Sequence, residues 1–137
     1  MNQALEQLAE TISGRFAGQV ARVESRCGEL TFEVAPTGLL TVCQALRHEP
    51  DWNFEQLIDL CGVDYANWKD QPWEGPRFCV VSHLLSVTKN WRVRLKVFAP
   101  DDDVPVVKSL IDVWSSANWF EREAFDLYGI IFDGHLD

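Results

Sequence analysis

The sequence has no C-x-x-C pair, and its four cysteines, Cys27, Cys43, Cys61 and Cys79, lie far apart. The spacing that zinc or an iron–sulfur cluster usually demands is therefore missing. No apolar run approaches the roughly 20 residues of a membrane-spanning helix. If the protein works at a membrane, something else holds it there. There is no P-loop, no nucleophile elbow and no cluster of glycines to cradle a phosphate. The usual parts of a self-contained redox enzyme, a cofactor fingerprint or cluster ligands, are absent. Basic residues are also scarce: 12 Lys and Arg stand against 21 Asp and Glu, a formal net charge of −9. That balance argues against a nucleic-acid surface and against electrostatic docking on anionic lipid. His48, His83 and His135 are scattered, with none at metal-ligand spacing. Each reads as a structural histidine, with His83 beside the core and His135 left unplaced by sequence. Asp101, Asp102 and Asp103 are adjacent, but D-x-D-x-D-G spacing and a Glu at the twelfth position are lacking, so a solvated turn is predicted rather than a calcium loop.

What is present suits one domain over residues 1–137. At 137 residues with 47% hydrophobic and 24% charged positions, the chain can bury a real core. Its N-terminus alternates polar and apolar residues, which predicts no signal peptide. A reducing cytosolic compartment with free, mostly buried thiols follows.

Leu5, Leu8, Ala9 and Ile12 recur at helical spacing, ended by Gly14 or Gly18. Val20 to Arg26 and Leu30 to Ala35 read as a hairpin turning at Cys27-Gly28-Glu29. In the second strand Leu30, Phe32 and Val34 share one face, Thr31 and Glu33 the other. Pro36-Thr37-Gly38 breaks the strand. Leu39, Val42, Cys43 and Leu46 mark a second helix that Pro50 stops. Leu57 to Tyr65 reads as a central strand, with Gly62 marking a bulge or a close approach. Ala66 to Pro76 is a long irregular segment whose Trp68 and Trp73 either anchor a contact or cap the core. Phe78 to Val87 is apolar on both faces, the mark of a covered or central strand. After a turn at Thr88-Lys89-Asn90, Trp91, Val93, Leu95 and Val97 alternate with Arg92, Arg94 and Lys96. This predicts a half-buried strand with a basic outer stripe, either solvated or facing an acidic partner. Val106 to Val113 is extended in part. The order α-β-β-α-β-β-β-α predicts an α+β fold: a two-layer sandwich of helices on a mostly antiparallel or mixed sheet.

The most informative stretch runs from Asn118 to His135. It sets Glu121, Arg122, Glu123 and Asp126 among aromatic residues. Asn118 and Glu121 have the spacing of a capping box, and Gly129 sits where a helix C′ residue takes positive φ. Phe120, Ala124 and Leu127 form an apolar stripe flanked by Trp119 and Tyr128. Arg122 and Asp126 stand at i, i+4 and can pair. Neither Glu121 nor Glu123 lies on a purely polar face, so at least one is predicted to be partly buried, where it needs a cation or several donors. Arg122 is the nearest cation in sequence; Arg77, Arg92 and Arg94 are further candidates. Two readings stay open: a docked helix whose charges are satisfied internally, and an acid/base site built on Glu121, Glu123, Asp126 and His135.

Residues 117–135 also resemble the signature of the family of the 30 kDa, or C-type, subunit of respiratory complex I, the proton-translocating NADH–quinone oxidoreductase. The pattern A-x-W-x-E-R-E-x-x-D-x-x-G-I-x-F-x-G-H is matched at every fixed position, including Trp119, Glu121, Arg122, Glu123, Asp126, Gly129, Ile130, Phe132, Gly134 and His135. Leu57–Tyr65, Arg77–Ser86 and Val93–Val97 support it. The resemblance implies a non-catalytic structural and assembly subunit of the peripheral arm, packed on the neighbouring D-type subunit. FMN and iron–sulfur clusters are then expected on partner subunits, with no catalytic, cofactor-binding or metal residue in this chain. The signature residues would shape the docking end. The location implied is peripheral, on the cytoplasmic side of the cell inner membrane, held there through the complex. The equivalent subunit of a membrane-bound hydrogenase or of a ferredoxin- or deazaflavin-fed quinone reductase shares the signature. A free-standing hydrolase or isomerase using Glu121 or Glu123 as base is the reading from a different class. Family members continue past Gly-His with a Pro, an Arg-rich segment and a C-terminal arm, whereas Leu136 and Asp137 follow His135 here. The expectation is a trimmed chain or a divergent member, retaining the folded core without most of its partner-binding arm.

Overall fold

The computed structural model describes residues 3–24, 28–66 and 74–135. Trp68 and Trp73, on which the reading of the long irregular segment turns, lie outside the described residues, as do Cys27, Leu136 and Asp137.

Helix α1 (Gln3–Arg15) buries Leu8, Ala9 and Ile12, as the helical spacing requires. It runs through Gly14, and Gly18 supplies the reversal into β1. Strand β1 (Val20–Val23) pairs antiparallel with β2 (Leu30–Val34) in the predicted hairpin, with Ser25 and Arg26 outside the described residues. On β2, Leu30, Phe32 and Val34 are buried and Glu33 is exposed. Thr31 departs from the predicted alternation. It shares the outer face with Glu33 but is fully buried, because Arg94 reaches across from the neighbouring strand and donates from Nε to its hydroxyl at 3.2 Å. A short 3-10 turn at Pro36–Gly38 leads into α2 (Leu39–His48), which buries Leu39, Val42, Cys43 and Leu46.

Strands β3 (Gln56–Asp64), β4 (Phe78–Ser86) and β5 (Trp91–Phe98) complete a five-stranded sheet in the order β1-β2-β5-β4-β3. The β2–β5 pair is parallel and the others are antiparallel, so the sheet is mixed. The predicted central position of the Leu57–Tyr65 run is corrected: β3 is an edge strand. Its apolar content reflects the helix packed against it rather than a second strand. A register shift between Leu57 and Asp59 bulges this edge, a device that discourages further strand pairing. Gly62 is the close approach that a glycine inside a strand suggests. A Cβ there would lie 2.7 Å from Cδ2 of Tyr128 and 3.0 Å from Cδ1 of Ile130. Strand β4 lies between β5 and β3 and is almost wholly buried.

Val93, Leu95 and Val97 on β5 point into the core that all three helices share. Arg92 is exposed, while Arg94 and Lys96 are half-buried on the opposite face. The basic outer stripe therefore exists. A second, smaller cluster of Tyr65, Cys79 and Val81 also stands apart from the main core.

Two further strands are absent from the order that the sequence predicts. β6 (Val106–Lys108) and β7 (Ile131–Asp133) pair in parallel and are joined across the last helix, α3 (Ala117–Tyr128). β6 falls in the Val106 to Val113 run read as extended in part, whereas three residues are too few to show a period of two, so β7 does not announce itself in the sequence. In the acidic loop, Asp101 accepts from the amides of Asp103 and Val104, and Asp102 accepts from the Arg77 amide at 2.7 Å. These carboxylates cap backbone, as a solvated turn would have them do. Among the described residues no helix is long and apolar enough to cross a membrane.

Candidate functional site

Helix α3 begins two residues earlier than its sequence suggests. Its N-cap position is Ser116, and no side chain caps it. Ser116 instead donates its hydroxyl to the Leu57 carbonyl at 2.9 Å, tying the helix start to β3. The predicted capping box is thus corrected: Asn118 lies inside the helix, and Glu121 does not fold back on it. The reason is that Glu121 has stronger partners elsewhere. Its Oε1 accepts the Ser109 hydroxyl at 2.6 Å and its Oε2 accepts the Leu110 amide at 2.7 Å. Only 1% of the residue is exposed. Ser109 in turn accepts from the Ile111 amide at 3.1 Å and donates its own amide to the Asp133 carbonyl of β7 at 2.8 Å. One carboxylate therefore clasps the segment after β6 to the middle of α3.

A buried acid needs a cation or several donors, and Glu121 is met by two neutral donors. Charge-assisted bonds of this kind are short and strong. Burial pushes the Glu121 carboxyl above its ordinary range. The bonds from Ser109 and Leu110 oppose that shift, and so does the field of His135. His135 is half-buried, and its Nε2 donates to the Asn118 carbonyl at 3.1 Å.

Glu121 also explains how the helix is turned. Its buried face is Ala117, Glu121 and Ala124, with Phe120 and Tyr128 half-buried beside them. Leu127, predicted to share the apolar stripe, is 66% exposed. The clasp and the Tyr128 ring over Gly62 together rotate the helix away from the purely hydrophobic solution. Gly129 ends it as predicted, at φ 71°, with its amide bonded to the Phe125 carbonyl. Ile130 is fully buried against Gly62, and Phe132 is buried on β7. Gly134 also takes positive φ.

The remaining signature residues separate into two groups. Arg122 and Asp126 border a hollow of about 340 Å³ together with Glu121, Phe125, Ile131, Phe132 and His135. Glu123 is exposed, and its charge, after burial and Asp59, helps raise the Cys61 thiol pKa. Two residues apart on a helix is about 200°, so Glu121 and Glu123 do not form a carboxylate pair. Trp119 is 71% exposed. Sequence reasoning missed Ser109 and Leu110 altogether, since nothing local marks the acceptor they serve. Gly62 did carry a signal, as a glycine inside an apolar strand.

Comparison with known proteins fits this geometry to a family. Residues 32–137 match the model for the respiratory-chain NADH dehydrogenase 30 kDa subunit. The chain belongs to this family. It is 54% identical over 137 residues to the C-type NADH-quinone oxidoreductase subunit of Burkholderia cenocepacia (strain HI2424), covering 100% of this chain and 68% of that protein. The same subunit of Cupriavidus pinatubonensis (strain JMP 134 / LMG 1197) is 58% identical over 133 residues, 97% of this chain and 67% of that one. Among solved structures, a trypsin-resistant fragment of Nqo5 (residues 1–134) superposes with a TM-score of 0.78 at 28% identity, covering 97% of this chain and 98% of the fragment. A chain of the archaeal membrane-bound sulfane sulfur reductase, a respiratory membrane complex, gives 0.76 at 21% identity over 97% of this chain and 72% of its own. That last likeness concerns the fold alone. The 30 kDa subunit family and its α+β architecture are thus common to sequence and structure, and of the residues that carry the resemblance it is Glu121 that builds the clasp.

Proposed function

We propose that this chain is a non-catalytic structural subunit in the peripheral arm of a proton-translocating NADH–quinone oxidoreductase, packed on the D-type subunit. On this reading it supports electron transfer from NADH to quinone without carrying a cofactor, and FMN and iron–sulfur clusters sit on its companions. It reaches the cytoplasmic face of the inner membrane only through the complex. The observation that carries this is the use made of Glu121: both oxygens of the signature's one buried acid are engaged by internal donors. An acid so engaged holds a fold together. A general base needs an oxygen within hydrogen-bond reach of a substrate proton.

The test is a pull-down of the full-length natural chain, tagged, from gently solubilised membranes. Co-elution with flavin- and cluster-bearing subunits, and NADH-driven quinone reduction in the eluate, is the expected result. Hydrogenase subunits in their place would move the chain to a related complex. Recovery of the chain alone would sink the structural role and return attention to Glu121 and Glu123 as an acid/base site. In that case Glu121→Gln should abolish a turnover by the isolated chain without lowering its stability.

A further inference from the structure

We infer that a hollow beside the starts of β2 and β5 is a binding site for a small organic phosphate, a monoester with a compact apolar body. This goes beyond the structural role proposed above and does not depend on it. The hollow has a volume of about 580 Å³. That lies within the roughly 300–1,000 Å³ of small-ligand pockets. β2 and β5 run parallel, with Leu30 opposite Val93, so their first residues open on the same end of the sheet. The turn before β5 supplies Lys89 and Asn90 to the wall, and α1 supplies Leu5. Leu5, Ile58 and Trp91 line the hollow with apolar surface, and His83, Lys89, Arg92 and Arg94 line it with hydrogen-bond donors. Apolar walls with a few convergent polar groups are the usual composition of a ligand site.

Arg92 carries the assignment, because every other described arginine has a partner. Arg15, Arg22 and Arg77 pair with Glu49, Glu6 and Asp64. Arg47 donates to the Val113 carbonyl, and Arg94 bonds Thr31 and lies 3.5 Å from Glu29. Arg122 is engaged as well. Arg92 is exposed and makes no hydrogen bond or ion pair through its side chain to any described residue. Acids outnumber bases in this chain, 21 to 12, yet among the described residues none reaches it.

The charge left open narrows the ligand class. Glu29 is the one acid among the described residues of the wall, and its carboxylate turns to Arg94. Asp59 stands opposite His83 in the β3–β4 register and does not line the hollow. Lys89 has no carboxylate partner among the described residues; its Nζ lies 6.0 Å from the centroid of the Trp91 ring. Lys89 and Arg92 thus leave two positive charges uncompensated. A phosphate monoester brings a charge of about −1.5 to −2 near pH 7. It also brings several acceptor oxygens, two of which a planar guanidinium fork takes together. A monocarboxylate meets only one of the two charges. Inorganic phosphate meets both but leaves the apolar lining unused.

The experiment uses the tagged full-length chain with the companions it recovers from membranes. Phenylglyoxal, which condenses with free guanidinium groups, is applied with and without phenyl phosphate, and modified peptides are quantified by mass. Arg92 should react ahead of the paired arginines. Phenyl phosphate should slow its reaction about tenfold, saturably, and leave theirs unchanged. An Arg92 that stays unreactive in the assembly is covered, and one that reacts equally fast beside phenyl phosphate binds none; either result overturns the site. Titration calorimetry with phenyl phosphate is the second measurement. Arg92→Gln, an exposed substitution that leaves the fold intact, should weaken binding about tenfold. Lys108→Gln, outside the hollow, should leave it unchanged, and inorganic phosphate should bind more weakly than phenyl phosphate. Equal losses from the two substitutions, or equal affinity for the two phosphates, would reveal a general attraction for anions and overturn the proposal.

Discussion

The inner and outer sides of α3 carry the same kinds of residue in opposite circumstances. Glu121 is buried and Glu123, two residues on, is exposed; Phe120 is half-buried and Phe125 is 52% exposed. Hydrophobicity does not decide which side faces inward, since Leu127 lies out and a glutamate lies in. The partners available on the facing surface decide it. Ser109 and Leu110 offer two donors that the carboxylate takes with one oxygen each, and Gly62 leaves room for the flat Tyr128 ring. A buried acid that finds all its hydrogen bonds becomes a specific fastener, because no apolar neighbour can replace it in register.

The strongest way to break this comparison is to remove the fastener. Glu121→Ala leaves the Ser109 hydroxyl and the Leu110 amide buried without an acceptor and opens a void where the side chain was. Each orphaned donor costs about 1–3 kcal/mol, and the cavity adds to that. Urea unfolding of the isolated chain should show a loss of about 3 kcal/mol or more. Glu123→Ala on the outer side should show almost none, and equal losses at the two positions would refute the distinction between them.

Filling the recess comes next. Gly62→Ala sets a methyl 2.7 Å from the Tyr128 ring, inside any tolerable contact. Overpacking of this kind costs about 1–3 kcal/mol. Tyr128→Ala removes the obstacle, so the double variant should lose less than the sum of the two single losses. Simple additivity would mean that the ring and the glycine do not set each other's position.

A smaller effect appears with pH. Burial holds the Glu121 carboxyl above its ordinary value near 4.5. The folded chain then keeps that proton to higher pH than the unfolded chain does, so the folded state binds more protons. Stability from this group is complete below the ordinary carboxylate range and declines as pH rises through the raised value. Glu6, Glu49 and Asp64, each held low first of all by hydrogen bonding to its arginine, act in the opposite sense. The comparison is therefore between the chain and Glu121→Gln, measured by unfolding from about pH 4 to about pH 8. The glutamine variant should lack the decline, and parallel curves would show that Glu121 does not titrate differently in the fold.

Much of this arrangement was legible in the sequence, for physical reasons that differ by region. Helical spacing in α1 and α2, and strict alternation in β5, report burial on one face and so read directly. The 117–135 signature read through its resemblance, which supplied the family before any geometry was known. Three features did not read. The edge position of β3 was hidden because helix cover makes a strand as apolar as flanking strands do. β7, and the pairing of β6 with it, were hidden because three residues are too few to show a period. The clasp was hidden because Ser109 is 12 residues from Glu121 and a lone serine carries no sign of its acceptor. Leu127 was misplaced for the same reason: the apolar stripe was judged without the acid that displaces it.

The smallest expected effect is the sharpest test of the outer side. Trp119→Ala deletes the largest exposed side chain of α3, and Trp119 is 71% exposed. An exposed substitution away from caps and buried bonds changes stability by less than about 0.5 kcal/mol. The isolated chain should therefore unfold at nearly the same urea concentration with or without the indole. Under the structural role proposed above, the same substitution should weaken co-elution with companion subunits about tenfold. A tryptophan whose loss leaves the isolated fold unmoved and the assembly impaired is held outward for a partner. One whose loss destabilises the isolated chain as Glu121→Ala does would belong to the inner side of the helix after all, and the division drawn across α3 would fail.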